Sequence, residues 1–189
     1  VRGGNFKDIK SKPGDFSVIY AASFAFTMVG PCYLFKSIDS GASFSMVTTT
    51  GFNASAVSRM VIGVTPADPE VVYLACSNST DNGFLGVYRS ANSGSTWVNT
   101  SAGCGLNLLG WNANGLDPGG QAWYDLSLSV SPVNPDEIHV GGVNIWKSAD
   151  GGVSWQLNAH WLGYGGADYV HADIHELRYN PVDSVLYAG

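Results

Sequence analysis

Near the C-terminal end, YVHADIHELRYNP (169–181) places His171, Asp173 and His175 at alternating positions. Alternate residues of a strand project from one side, and imidazole with carboxylate is a donor set for Zn2+ or another divalent ion. Same-side neighbours lie about 6.5–7 Å apart along a strand, so one ion would need the chain to bend. Without an ion, the same row makes a hydrogen-bonded polar network between sheets. With Asp125 as partner, Asp173 completes the one carboxylate pair in the chain that suits glycoside hydrolysis. Two more acids, Asp39 and Asp150, stand beside Ser and Gly, and Asp150 lies in NIWKSADGGVSW (144–155).

The elements that position these residues repeat. SIDSGASF (37–44), SANSGSTW (90–97) and SADGGVSW (148–155) are one pattern, and their first serines are 53 and 58 residues apart. A second pattern keeps step: KPGDFSVIYAAS from Lys12, TPADPEVVYLAC from Thr65, SPVNPDEIHVGG from Ser131, and NPVDSVLYAG at the end. Proline to box serine is 24 residues in the first two units and 16 in the third. Within each unit, runs rich in Val, Ile, Tyr and Trp alternate with Gly, Asn, Asp and Pro, which is the signature of short strands and turns. Four antiparallel strands per unit of about 50 residues describe a propeller blade. The expected fold is all-β: a propeller of four-stranded antiparallel blades spanning 6–50, 57–101 and 123–159, with a loop insertion at 102–122 and a half blade at 169–189. About three and a half blades cannot close a ring of about four to eight. The remaining blades are therefore expected from the same chain, a cleaved chain or a neighbouring copy.

The repeated box resembles the Asp-box (BNR) repeat, Ser-x-Asp-x-Gly-x-x-Trp, of sialidases, sortilin-type receptor domains and some endoglucanases. Ser37, Asp39, Gly41 and Phe44 match with Phe for Trp; Ser90, Asn92, Gly94 and Trp97 match with Asn for Asp; Ser148, Asp150, Gly152 and Trp155 match throughout. Ser and Asp side chains hydrogen-bond such a turn, Gly supplies its positive φ, and the aromatic tucks beneath it. Asn92 accepts the same hydrogen bonds, an exchange a catalytic acid would not survive, so Asp39 and Asp150 read as structural. Taken together, the stretch from Gln121 to Trp155 and YVHADIHELRYNP is similar to large secreted surface proteins of Bacteroidetes-type bacteria, often exported by type IX secretion. That likeness implies a secreted or cell-surface location.

Strand order then separates two faces. If successive strands reverse direction, box turns and Pro-rich turns share one face, and the long connections share the other. The long segments are 23–33, 77–84, 101–124 and 160–170. Aromatic loops on a rigid scaffold are a usual place for recognition, which nominates Trp111, Trp123, Tyr124, Trp161, Tyr164 and Tyr169 as a stacking surface; the alternative is that they plug the top of the propeller.

Composition narrows the classes. With 13 % charged residues, 24 Gly and a net charge of −6, the chain lacks the clustered cations of a nucleic-acid groove. No apolar run reaches the roughly 18 residues of a membrane span, and Cys32, Cys76 and Cys104 fit no metal-ligand spacing. Four arginines without a substrate-clamping cluster argue against a sialidase. The expected function is a non-catalytic surface propeller segment binding glycan or protein, needing no cofactor. The alternative is a propeller glycoside hydrolase, of endoglucanase or sialidase type, using Asp125 and Asp173.

Overall fold

A computed structural model describes residues 5–24, 31–48 and 52–189; residues 25–30 of the expected 23–33 loop lie outside them. The first sheet runs β1 (Phe6–Lys12), β2 (Asp15–Ser23), β3 (Leu34–Ser37) and β4 (Ser45–Met46). The second runs β5 (Val57–Val64), β6 (Val72–Asn78), β7 (Phe84–Ser90) and β8 (Val98–Asn99). The third is built from β9 (Ser127–Val130), β10 (Ile138–Gly141), β11 (Ile145–Ser148) and β12 (Gln156–His160), joined by β13 (Asp168–Tyr169). A two-stranded sheet of β14 (Leu177–Tyr179) and β15 (Leu186–Ala188) follows. In the first two sheets every strand pairs antiparallel with its sequence neighbour, and β9 to β12 do the same. These are three blades and half of a fourth. No helix of the described residues is long and apolar enough to cross a membrane.

Burial shows why the sheets stack. In β6, Val72, Leu74 and Cys76 enter a core shared with Tyr20, Ala22 and Leu34 of the first blade. The intervening Tyr73 and Ala75 enter a second core with Leu128, Val130, Ile138 and Val140 of the third. Alternation along a strand sends successive side chains to opposite faces, so the second blade is apolar on both. Gly63 on β5 lies so close to the third blade that a Cβ would come within 2.8 Å of Val130 and 2.9 Å of Leu128. A smaller core of Ile145, Ala159, Ile174 and Leu177 joins the third blade to the half blade. There the Tyr179 hydroxyl donates to Glu137 at 3.1 Å and lies 3.3 Å from His139 Nδ1. Burial lowers the His139 pKa to about 4, so the ring is neutral.

One expectation is corrected here. The fourth blade does not begin at 169, and residues 170–176 are not strand. Asp168–Tyr169 instead pair parallel with β12 (Ala159↔Asp168, His160↔Tyr169), which covers an otherwise exposed strand edge. The Val170 N–H then donates to the His160 carbonyl and that of Ile174 to Gly142. Asp173 has φ +72°, a left-handed backbone incompatible with a strand. His171, Asp173 and His175 therefore do not form a one-sided row.

The box turns behave alike in all three blades. Each serine hydroxyl accepts from the backbone N–H four residues on: Gly41 at 2.9 Å, Gly94 at 2.8 Å and Gly152 at 2.9 Å. Each also donates to the Asp39, Asn92 or Asp150 side chain. Those side chains accept from the N–H of Ser43, Thr96 or Ser154 at 2.8–2.9 Å. The amide of Asn92 turns its Nδ2 toward Thr96 Oγ1, where Asp150 accepts from the Ser154 hydroxyl. The next N–H (Ser40, Ser93 or Gly151) donates to a backbone carbonyl two residues before the paired position of the blade's second strand (Ser17, Glu70 or Asp136). That bond ties the box turn to the turn between first and second strands, on one face, as expected. The indole N–H groups of Trp97 and Trp155 donate to the Gly94 and Gly152 carbonyls at 3.1 and 3.0 Å, which Phe44 cannot do. Trp97 packs in the core shared with the first blade. Phe44, its equivalent, lines a trough of about 670 Å3 with Phe6, Ile9 and Ala21.

Two outcomes follow for the third box. Replacing Ser148, which is 1 % exposed, by Ala orphans turn N–H groups and is expected to cost about 1–3 kcal/mol in denaturant unfolding; Asp150→Asn should cost less, because Asn92 fills the same place in the second box. The hydrogen bonds on Asp39 and Asp150 hold both carboxyls at about 2, against 3.8 unperturbed. A folded-state pKa below the unfolded value stabilises above pH 3.8, and that contribution is lost as pH falls towards 2. Acid unfolding curves should therefore show a smaller loss over that window for Asp150→Asn than for the parent chain.

Candidate functional site

The opposite face carries the long connections, and those around the third blade are firmly held. Asn107 is one pin: its Oδ1 accepts from the Phe84 N–H at 2.8 Å, and its Nδ2 donates to the Asp117 and Gly119 carbonyls at 2.8 and 2.7 Å. The Asp117 carboxylate accepts from the Trp111 N–H at 2.7 Å and from Asn112 at 3.2 Å. Asp81 accepts from Gly83 and Gly119, tying the Gly-rich insertion to the second blade's loop. Leu108 and Leu109 are buried beneath it. Short Asx-type bonds of this kind fix loops that lack strand partners.

Two aromatic groups flank the turn between β10 and β11. The first rests on Asn144 and His160, both almost fully buried. Asn144 Nδ2 donates to the Gly110 and Trp111 carbonyls at 3.1 and 3.3 Å, and its Oδ1 accepts from the Trp161 N–H at 3.1 Å. His160 Nδ1 accepts from the Leu162 and Tyr164 N–H groups at 3.0 and 3.3 Å. That leaves the proton on Nε2, which lies 3.1 Å from the Trp111 carbonyl. The Trp161 indole donates to the same carbonyl, and Tyr164 stacks on the His160 ring with centroids 5.5 Å apart. Trp111, Trp161 and Tyr164 are thus brought together. Tyr169, on β13 beside His160, adjoins them.

The second group sits at the axis. Trp123 and Tyr124 are each 45 % exposed, with ring centroids 5.6 Å apart, and the His175 ring meets the edge of Tyr124 at 4.7 Å. Arg59, from the loop-side end of β5, holds the backbone beneath them. Its NH1 donates to the Ala122 and Tyr124 carbonyls at 3.0 and 2.8 Å, and its NH2 to Leu126 at 3.3 Å. Gln121 Nε2 donates to Asp125 Oδ2 at 3.0 Å and to Asp173 Oδ1. The two nominated carboxylates therefore meet through one amide. Burial raises the Asp125 pKa, partly offset by the Gln121 hydrogen bond.

The nominated residues fall into different places. His171 Nδ1 lies 2.9 Å from the Ala172 carbonyl, Asp173 turns to Gln121, and His175 turns to Tyr124. No group of three or more His, Cys, Asp or Glu among the described residues is arranged to hold a metal. Asp125 is 1 % exposed, and the two carboxylates share one amide nitrogen, closer than the about 6.5–9.5 Å of an inverting hydrolase and comparable to the about 5–5.5 Å of a retaining one. What the geometry offers is flat, exposed aromatic surface on a rigid base. Arg59, Gln121, Asn144 and His160 were not singled out in the sequence. Only Arg59 left a signal there, as a charge inside the otherwise uncharged VSRMVIGV.

No family model matches the sequence, and no curated protein matches it. Solved structures do. The chain aligns over 97 % of its length with a GH74 enzyme of Niastella koreensis, at TM-score 0.63 and 18 % identity, covering 26 % of that chain. It aligns over 81 % with the GH74 xyloglucanase of Xanthomonas campestris, at TM-score 0.52 and 20 % identity, covering 23 % of that chain. A YCF48 bound to D1 peptide matches over 94 %, at TM-score 0.55 and 12 % identity, with 45 % of that chain covered. These neighbours are β-propellers, and the chain shares their fold. It spans about a quarter of the GH74 enzymes and under half of YCF48.

The hub beneath the first aromatic group is open to test. Asn144→Ala removes three hydrogen bonds at a fully buried site and is expected to cost about 2–3 kcal/mol. It should also change the tryptophan fluorescence of the folded protein, because Trp111 and Trp161 both rest on it. Unfolding curves with native-state emission spectra read both.

Proposed function

We propose that this chain is part of a secreted or cell-surface Asp-box propeller that binds a glycan or protein on its loop face and does not turn it over. The observation carrying this reading is the exposed Trp123–Tyr124 pair, clamped from beneath by Arg59 and flanked by the Trp111–Trp161–Tyr164 group. Rigid aromatic surface contributes contact area at little entropic cost and suits the apolar faces of sugars or peptide side chains. One neighbour in fold, described as bound to a peptide, is consistent with it. Further blades would complete the ring; the trough beside Phe44 and the two-stranded last sheet are where they would dock. Export, including the type IX route, belongs to this proposal through the likeness to secreted surface proteins.

A glycoside hydrolase is the second reading, favoured by one observation, the convergence of Asp125 and Asp173 on Gln121. Affinity electrophoresis through a panel of soluble polysaccharides separates the two. Binding should weaken about tenfold, or ~1.4 kcal/mol, in Trp123→Ala, with no release of reducing sugar by the parent chain. Reducing-sugar release that disappears in Asp125→Asn would replace the binding reading with the hydrolase.

A further inference from the structure

Rings and cations are not shared evenly between the two faces. Towards the tight face, cations already sit on rings. Lys36 lies over the Tyr20 ring at 5.7 Å and donates to the Ser93 carbonyl at 2.7 Å. Arg89 lies over the Tyr73 ring at 5.8 Å and pairs with Asp136 at 3.2 Å. The loop-side connections 23–33, 77–84, 101–124 and 160–170 carry Asp81, Asp117 and Asp168 and not one Lys or Arg. Lys7 and Arg59 belong to the axis. There Asp125 and Asp8 counterbalance Arg59, and Lys7 has the Phe24 ring at 4.6 Å.

The aromatic group over the third blade therefore has rings and acids, and its own connections supply no cation. Tyr164 is 63 % exposed and Tyr169 68 %. A Cβ added at Gly163 would lie 3.9 Å from that of Tyr169, so the turn after Trp161 and Tyr169 are neighbours. Asp117 accepts from the Trp111 N–H at 2.7 Å. Asp168 precedes Tyr169 on β13 and points to the strand's other side, opposite Ala159 of the small core. Neither carboxylate forms a salt bridge among the described residues. His160, beneath the rings, accepts two N–H groups at Nδ1 and keeps its proton on Nε2. The faces of Trp and Tyr rings attract cations, and carboxylates within a Debye length of about 8 Å add to that field.

We propose that the Trp111–Trp161–Tyr164–Tyr169 group takes the arginine side chains of a partner protein, stacked face-on to its rings. The inference rests on the binding reading of the loop face and narrows it to a basic polypeptide segment. An amino sugar carries the same charge, but a guanidinium is planar, weakly hydrated and shaped to stack on a ring, whereas an ammonium is a compact, strongly hydrated point charge. The chain uses that geometry itself, with Arg89 over Tyr73.

The test is an NMR titration of the chain with end-blocked hexaarginine, its neutral isostere hexacitrulline, deacetylated hexaglucosamine and cellohexaose, followed at the Trp111 and Trp161 indole N–H resonances. Hexaarginine should shift both saturably and bind at least about tenfold tighter than hexacitrulline. Tyr164→Ala should weaken it about tenfold, while Tyr164→Phe, which keeps the ring, should stay within about twofold of the parent. Asp39→Asn, which removes an acid from the tight face, should also stay within about twofold, because general attraction to an acidic chain is not what is read. Equal affinities for hexaarginine and hexacitrulline would overturn the assignment, as would tighter binding of hexaglucosamine. So would hexaarginine binding indifferent to Tyr164→Ala, an equal loss in Tyr164→Phe, or an equal loss in Asp39→Asn. Cellohexaose bound at these rings without hexaarginine binding would overturn this inference alone. Indole resonances unmoved by all four ligands would overturn the binding reading of the loop face with it.

Discussion

Every blade here is a thin sheet with apolar side chains on both faces, and such a sheet is stable only between neighbours. The second blade shows it most plainly, since consecutive residues of β6 enter different cores. Stacking by this rule sends the inner strands to a common axis and all turns to one of two faces. It also makes the junctions the energetic centre of the fold. Each buried Tyr, Leu or Val side chain contributes about 1.5–3 kcal/mol there, and Gly63 survives because a larger residue would push the second and third blades apart.

The two faces then divide the work. On the tight face nearly every polar group is engaged in closing turns. Asp39 and Asp150, held ionised down to about pH 2 by three and four hydrogen bonds from their own turns, have no proton to give at neutral pH. On the loop face the polar groups position aromatic rings. Asn107, Asn144, His160 and Arg59 all spend their hydrogen bonds on backbone, and the backbone they hold carries Trp111, Trp123, Tyr124, Trp161 and Tyr164. Arg59 differs from the others in carrying a charge, which backbone carbonyls solvate and Asp125 and Asp8 counterbalance.

The repeat was fully legible in the sequence because box serine, glycine and aromatic are local requirements of one turn. Strand order and the separation of faces followed from it by alternation. The row His171–Asp173–His175 misled because alternation of residue types looks the same whether or not the backbone is extended; nothing in HADIH announces the left-handed Asp173. The pairing of Asp168–Tyr169 with β12 was hidden for a related reason. Its cause is an unfilled edge in space, and a two-residue strand leaves no periodicity. Gln121, Asn144 and His160 are single polar residues whose partners lie up to 52 positions away, a separation at which one sequence carries no signal.

The central claim is that recognition belongs to the loop face and the boxes belong to the fold. A residue-resolved map of amide shifts during titration with cellotetraose tests it most directly. The account predicts perturbations confined to residues 107–124, 160–175 and the loop-side ends of β1 and β5, with the three box turns silent. Perturbations centred on 37–44, 90–97 or 148–155 would contradict it.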